Sequence, residues 1–141
     1  MRTFEFRLAL ECEAAALAAM RRTTQDLTLI GRAFNKLEKL IKKNELGVDA
    51  DMAFHLAIAV AAKNDLFFAA MEVLSPQVSK GMTTARRLSL NVSSERLRRV
   101  QHEHEQILVH IREANPEGAR DAMQLHLRNA KTRVLTESGE R

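Results

Sequence analysis

Asp51 and His55 stand four residues apart in the run DMAFHLAIAVAA, and His104 and His126 follow on two later helical segments. Side chains at i and i+4 project from one face of a helix, a turn apart. A carboxylate and an imidazole so placed, joined by two imidazoles pointing inward from other helices, form a donor set for a divalent transition metal. With a coordination position left over, such a set can bind a small anion or activate water. The same residues could equally form a hydrogen-bonded polar ring that holds nothing, and residue types alone leave that open.

Helix geometry separates these histidines from the other two. At about 100° per residue, Leu97, Val100, Ile107, Leu108 and Ile111 span an arc of roughly 100°, with His104 near its middle. His102 projects nearly opposite and His110 lies on one flank, so both are expected at the surface. His126 falls inside the arc of Ala119, Ala122, Met123 and Ala130. An imidazole there has two ring nitrogens that apolar neighbours cannot satisfy.

The elements that must position these groups are helices. Only five Gly and two Pro occur in 141 residues, and period-two alternation is nowhere sustained, so the chain is expected to be all-α and a single domain over residues 1–141. The first helix is expected from about Thr3 to Thr23. Thr24 would cap a second from Gln25 to about Lys43, with an inner stripe of Leu27, Ile30, Phe34, Leu37 and Ile41. Gly47 would end it, and Asp49 would cap a third, nearly all-apolar helix from about Ala50 to Lys63. Asp65 would cap a fourth, kinked or restarted at Ser75-Pro76 and continuing to about Leu90. Asn91 to Ser94 reads as a turn, with Ser93 or Ser94 capping a fifth helix to about Ala114. Pro116 would open a sixth, and the tail from Glu137 would fray.

Composition narrows the function. Hydrophobic residues make up 45% and charged residues 28%, the balance of a folded soluble domain. The net charge of +4 invites a nucleic-acid reading, but the basic residues are spread along every segment without aromatic interleaving for base stacking. The single cysteine, Cys12, excludes an internal disulfide and reads as a packing residue in a reducing compartment. No apolar run reaches membrane-spanning length, so a cytoplasmic location is expected. No Gly-rich phosphate loop or serine-nucleophile motif is present.

Several phrases taken in order resemble one family. Arg7 and Glu11 in RLALE, the stretch AAALAAMRRTTQDLTLI, DMAFH followed by Asn64, and EHEQILVHIREANPEGARDAMQLHL are similar to the FCD domain. That domain is the helical effector-binding and dimerisation half of the FadR-type branch of GntR-family transcription regulators. The resemblance covers nearly the whole chain and implies an antiparallel bundle of six to seven helices around a central polar, metal-containing pocket. It implies Asp51, His55, His104 and His126 as metal ligands, with Zn(II) foremost and Ni(II), Mn(II), Co(II) or Fe(II) as alternatives. It further implies a small organic acid as effector, received by Arg7 and, as a second guess, Arg86, and a homodimer. DNA contact is expected only through a winged helix-turn-helix domain that this chain does not include. Two rival readings stand beside the sensor: a metal-dependent hydrolytic or lyase-type enzyme, and a structural helical dimerisation module.

Overall fold

The computed structural model describes residues 2–92 and 94–137, and among them lie six helices and no strand. They are α1 (Arg2–Arg21), α2 (Thr24–Lys42), α3 (Val48–Ala61), α4 (Asp65–Val92), α5 (Ser94–Arg112) and α6 (Pro116–Glu137). Helix α1 packs most extensively on α6, α5 on α6, and α3 against both α2 and α4.

The helix starts differ from the sequence expectation in detail, each for a local reason. Thr23, not Thr24, caps α2: its hydroxyl accepts the Asp26 N–H at 3.1 Å, and the Asp26 carboxylate accepts the Thr23 N–H at 2.8 Å. This reciprocal pair outcompetes the neighbouring threonine, which offers only one bond. Gly47, not Asp49, precedes α3, in a left-handed conformation with φ 69°. A Cβ there would lie 2.6 Å from Leu37 Cδ1, so close packing of α2 as well as backbone angle selects glycine. Asn64, not Asp65, serves the start of α4 by accepting the Leu66 N–H at 3.1 Å. Asp65 instead lies in the first turn, where a carboxylate meets the positive end of the helix dipole.

Helix α4 is continuous where a kink or restart was expected. Pro76 sits inside it, and the Ser75 hydroxyl donates to the Glu72 carbonyl at 2.8 Å. That carbonyl is the acceptor an N–H at position 76 would have used. Of the expected turn at Asn91–Ser94, Asn91 and Val92 belong to α4 and Ser94 opens α5. The proposed cap Ser93 and the tail from 138 onward lie outside the described residues.

In α1, α3 and α5 the polar residues come first and the apolar residues follow. Arg7 and Glu11 precede Cys12, Ala15 and Ala18; Asp51 and His55 precede Ile58 and Ala61; Gln101 and His104 precede Ile107 and Ile111. Helix α6 reverses the order, with Ala119 and Met123 before His126 and Arg133, as befits a helix running the other way. One end of the bundle is therefore an apolar cluster and the other a polar chamber. Phe54 lies between them, fully buried, with its ring centroid 4.8 Å from that of His104.

Candidate metal centre

All four predicted ligands are buried and come together. Asp51 and His55 issue from successive turns of α3, His104 from the middle of the apolar arc of α5, and His126 from α6. One ligand nitrogen from each of the three histidines lies within 4.8 Å of the others. Asp51 Oδ1 is 3.3 Å from His55 Nε2 and 3.4 Å from His104 Nε2, and His104 Nε2 is 3.2 Å from His126 Nε2.

The outer nitrogens of the three rings decide what the inner ones are. His55 Nδ1 is bonded to the Glu11 carboxylate, His104 Nδ1 to Gln101 Oε1 at 3.1 Å, and His126 Nδ1 to Glu103 Oε1 at 2.8 Å. Each outer partner is an oxygen acceptor, so each Nδ1 carries a proton and each Nε2 faces inward, where a neutral ring offers a lone pair. The chamber then gathers the inner nitrogens of three imidazoles beside a carboxylate oxygen. Asp51 Oδ1 and His55 Nε2 are buried 3.3 Å apart, and neither makes a hydrogen bond. Buried polar atoms left in this way cost roughly 1–3 kcal/mol each. A cation at the centre would satisfy all of them, so the residues present fit a metal.

Electrostatics divide the three imidazoles: the carboxylates favour a proton on His55, while burial works against one on His104 and on His126. Burial would lower the pKa of His55, yet the Glu11 and Asp51 carboxylates outweigh it and hold His55 up at about 9. Burial, reinforced by His126, pushes His104 down to about 3, and burial lowers His126 as well. Asp51, although buried, is held well below the usual carboxylate range by His104, His55 and Arg86. Glu11 and Glu103 are each depressed to about 2 against the cost of burial, the first by Arg7 and His55, the second by His126 and Arg133.

Beside the four residues opens a cavity of about 180 Å³ whose lining includes Asp51, His55 and His126. Its remaining wall is largely apolar, with Phe4, Val78, Met82, Leu97 and Val134, and is interrupted by Thr3, Gln77, Ser89 and three arginines: Arg7, Arg86 and Arg133. Arg86 donates through Nε to the Leu46 carbonyl and through Nη1 to Asp51 Oδ2 at 3.0 Å, which leaves its buried Nη2 without a partner. Arg7 is already engaged by Glu11 Oε2 at 2.5 Å. Of the two arginines named from the sequence, Arg86 is the one that carries a buried nitrogen without a partner.

Sequence reasoning missed four participants. Glu11 entered only within a family phrase, and Gln101, Glu103 and Arg133 were not named for the site. Glu103 does point away from His104, but it reaches across to His126, 23 positions later. The available signal was i, i+3 spacing: Gln101 precedes His104 by three residues on α5. His102 is exposed as expected, whereas His110 is half-buried beside Gly118 and Asn115 in the α5–α6 turn. Cys12 is a buried thiol raised to about 11, chiefly by burial.

Comparison with known proteins is consistent with this architecture. A family model described as the FCD domain matches residues 2–129. The chain is 35% identical over 127 residues to the HTH-type transcriptional regulator LutR of Bacillus subtilis, covering 90% of this chain and 58% of LutR. It is 29% identical over 129 residues to the Uxu operon regulator of Haemophilus influenzae, covering 92% of this chain and 48% of that protein. It therefore spans about half the length of the curated relatives it matches. Among solved structures, its fold is similar to the metal-free FCD domain of TM0439, with a TM-score of 0.73 at 20% identity, over 99% of this chain and 94% of that one.

Proposed function

The chain belongs to the FCD domain family of GntR-type transcription regulators, and on that premise we propose that it senses a small organic acid with the help of one divalent transition metal. The observation that carries this reading is the unpartnered pair Asp51 Oδ1 and His55 Nε2, buried beside the Nε2 atoms of His104 and His126. Three imidazoles and one carboxylate suit Zn(II) first, with Ni(II), Mn(II), Co(II) and Fe(II) as alternatives that cellular supply decides. When bound, the metal supplies a Lewis-acid attraction for a carboxylate at a position the protein leaves open. Arg86 offers its unpartnered Nη2 to that carboxylate, and Arg7 stands across the cavity in the supporting role. A guanidinium suits this task through its planar fork of donors. The apolar wall favours an acid with a short hydrocarbon body.

A sensor must report. Effector binding that differs between two helix arrangements would pass through a homodimer to helix-turn-helix domains of the kind LutR's description names, outside this chain. Among the described residues no helix is long and apolar enough to cross a membrane, and we place the protein in the cytoplasm with its DNA target.

The enzymatic alternative needs a carboxylate or imidazole free to take a proton. Glu11 and Glu103, the acids nearest the ligands, each have both oxygens engaged by an arginine and a histidine, which disfavours a general base there. The test is elemental analysis of the purified chain followed by calorimetric titration with metal and with a panel of small carboxylic acids. One metal per chain and saturable acid binding without turnover are expected; absence of both ends the proposal.

A further inference from the structure

Two carboxylates flank the donor set, Glu11 buried and Glu103 part-buried, and both are held the same way. Glu11 stands between Arg7 and His55 Nδ1, and Glu103 stands between Arg133 and His126 Nδ1. Both arginines line the cavity. Each link therefore runs from a cavity arginine through a glutamate to an imidazole whose other nitrogen faces the centre. The Glu103 link is the more elaborate. Arg133 reaches it with two nitrogens, at 2.5 and 3.2 Å, and Asn129 Nδ2 adds a contact at 2.8 Å.

A glutamate shared in this way divides its charge. The more of it Arg133 neutralises, the weaker an acceptor it is for the His126 Nδ1–H. A strong acceptor at Nδ1 raises the electron density at Nε2 and fixes the ring's tautomer and angle, both of which strengthen a metal–imidazole bond. We infer that Glu103 is a positioning residue that couples the cavity to His126: an anion that draws on Arg133 returns the glutamate's charge to the imidazole and tightens its hold on the metal. By reciprocity, bound metal tightens the anion by the same factor. This inference rests on the metal reading given above. Glu11 forms the parallel link to His55, but its side chain is 3% exposed against 12% for Glu103, so Glu103 is the better probe.

The test is a Co(II) titration of the full chain, followed by calorimetry and by visible absorption of the bound ion, for wild type, Glu103→Gln, Arg133→Met and the double variant. Far-UV circular dichroism of the metal-free proteins checks that each is folded. Glu103→Gln is expected to weaken Co(II) about 10–100-fold and to shift its absorption. Arg133→Met is expected to tighten Co(II) about fivefold, at the low end of coupling between sites. The double variant should resemble Glu103→Gln, because the arginine then has no charge to withdraw. Acetate, as the probe anion, should tighten Co(II) in wild type and do so less in Arg133→Met, where only direct contact with the ion remains. If Glu103→Gln does not fold, the Arg133→Met and acetate arms decide. Variants within twofold of a Co(II)-binding wild type would overturn the coupling and leave the metal reading standing, as would an Arg133→Met that weakens Co(II), the mark of a mere brace. A wild type that takes up no Co(II) would overturn the metal reading itself, and the coupling with it.

Discussion

The same four helices build two unlike ends. At one, Ala18, Ile58, Ile111 and Ala119 meet in a cluster of fully buried apolar side chains whose contacts are complete. At the other, a turn or two away, Asp51, His55, His104 and His126 meet, and buried Asp51 Oδ1 and His55 Nε2 are left without partners. The first arrangement gains by excluding water; the second loses by it until something positive arrives. Stability and function are therefore divided along the length of each helix rather than between helices. The polar end costs stability that the apolar end offsets.

The largest expected effect tests the apolar end. Ile111→Ala should lower the unfolding free energy by about 2–5 kcal/mol in urea denaturation while leaving metal affinity unchanged; a large loss of metal affinity would mean that the ends are not separable. His104→Leu should do the opposite. It should weaken metal binding at least about a hundredfold, roughly 2.7 kcal/mol, yet leave the metal-free chain as stable as wild type or more so, since it removes one lone pair from the crowded centre. A destabilised metal-free variant would show that the polar end holds itself together without an ion. Adding metal to the wild type at a hundred times its dissociation constant should raise stability by about 2.7 kcal/mol, read as a higher Tm that a chelator reverses.

The smallest effect concerns the cap at the apolar end, where polar groups are all matched. Asp26 closes the capping box with Thr23 and lies 2.7 Å from Lys63. Although burial opposes it, the bonds from Lys63 and Thr23 hold its pKa below the ordinary value. A depressed folded-state value means that this contribution is fully present above the unfolded pKa near 4 and is lost as pH falls through the lower folded value. Asp26→Asn should cost up to about 1 kcal/mol at pH 7, and the two melting curves should converge progressively below about pH 4. A difference that persists undiminished in acid would assign the effect to packing.

The two ends were not equally legible in the sequence. Periodicity placed Leu97, Val100, Ile107 and Ile111 on one face of α5 with His104 among them, and the structure buries all five. The four proposed ligands were found because an imidazole on an apolar face is a local anomaly. Glu103 and Arg133 were not found, because each sits on the flank of its helix, where a charged residue is ordinary, and only the crossing of α5 and α6 makes them neighbours. Helix starts failed for a similar reason. Choosing Thr23 over Thr24, or Gly47 over Asp49, depends on a reciprocal bond to Asp26 and on the Leu37 side chain against Gly47, neither of which spacing alone reveals.

Pro76 divides α4 into unequal duties. Upstream, Met71 is locked into the core; downstream, Met82 and Arg86 wall the cavity. The backbone rung between them is missing, and a serine hydroxyl stands in for it. A hydroxyl bond can lengthen or swing without dragging the chain, so the downstream segment is tethered at residue 76 by a compliant joint rather than a rigid one. The wall that carries Arg86 is thus joined to the core-locked segment by one backbone rung fewer than an uninterrupted helix would supply.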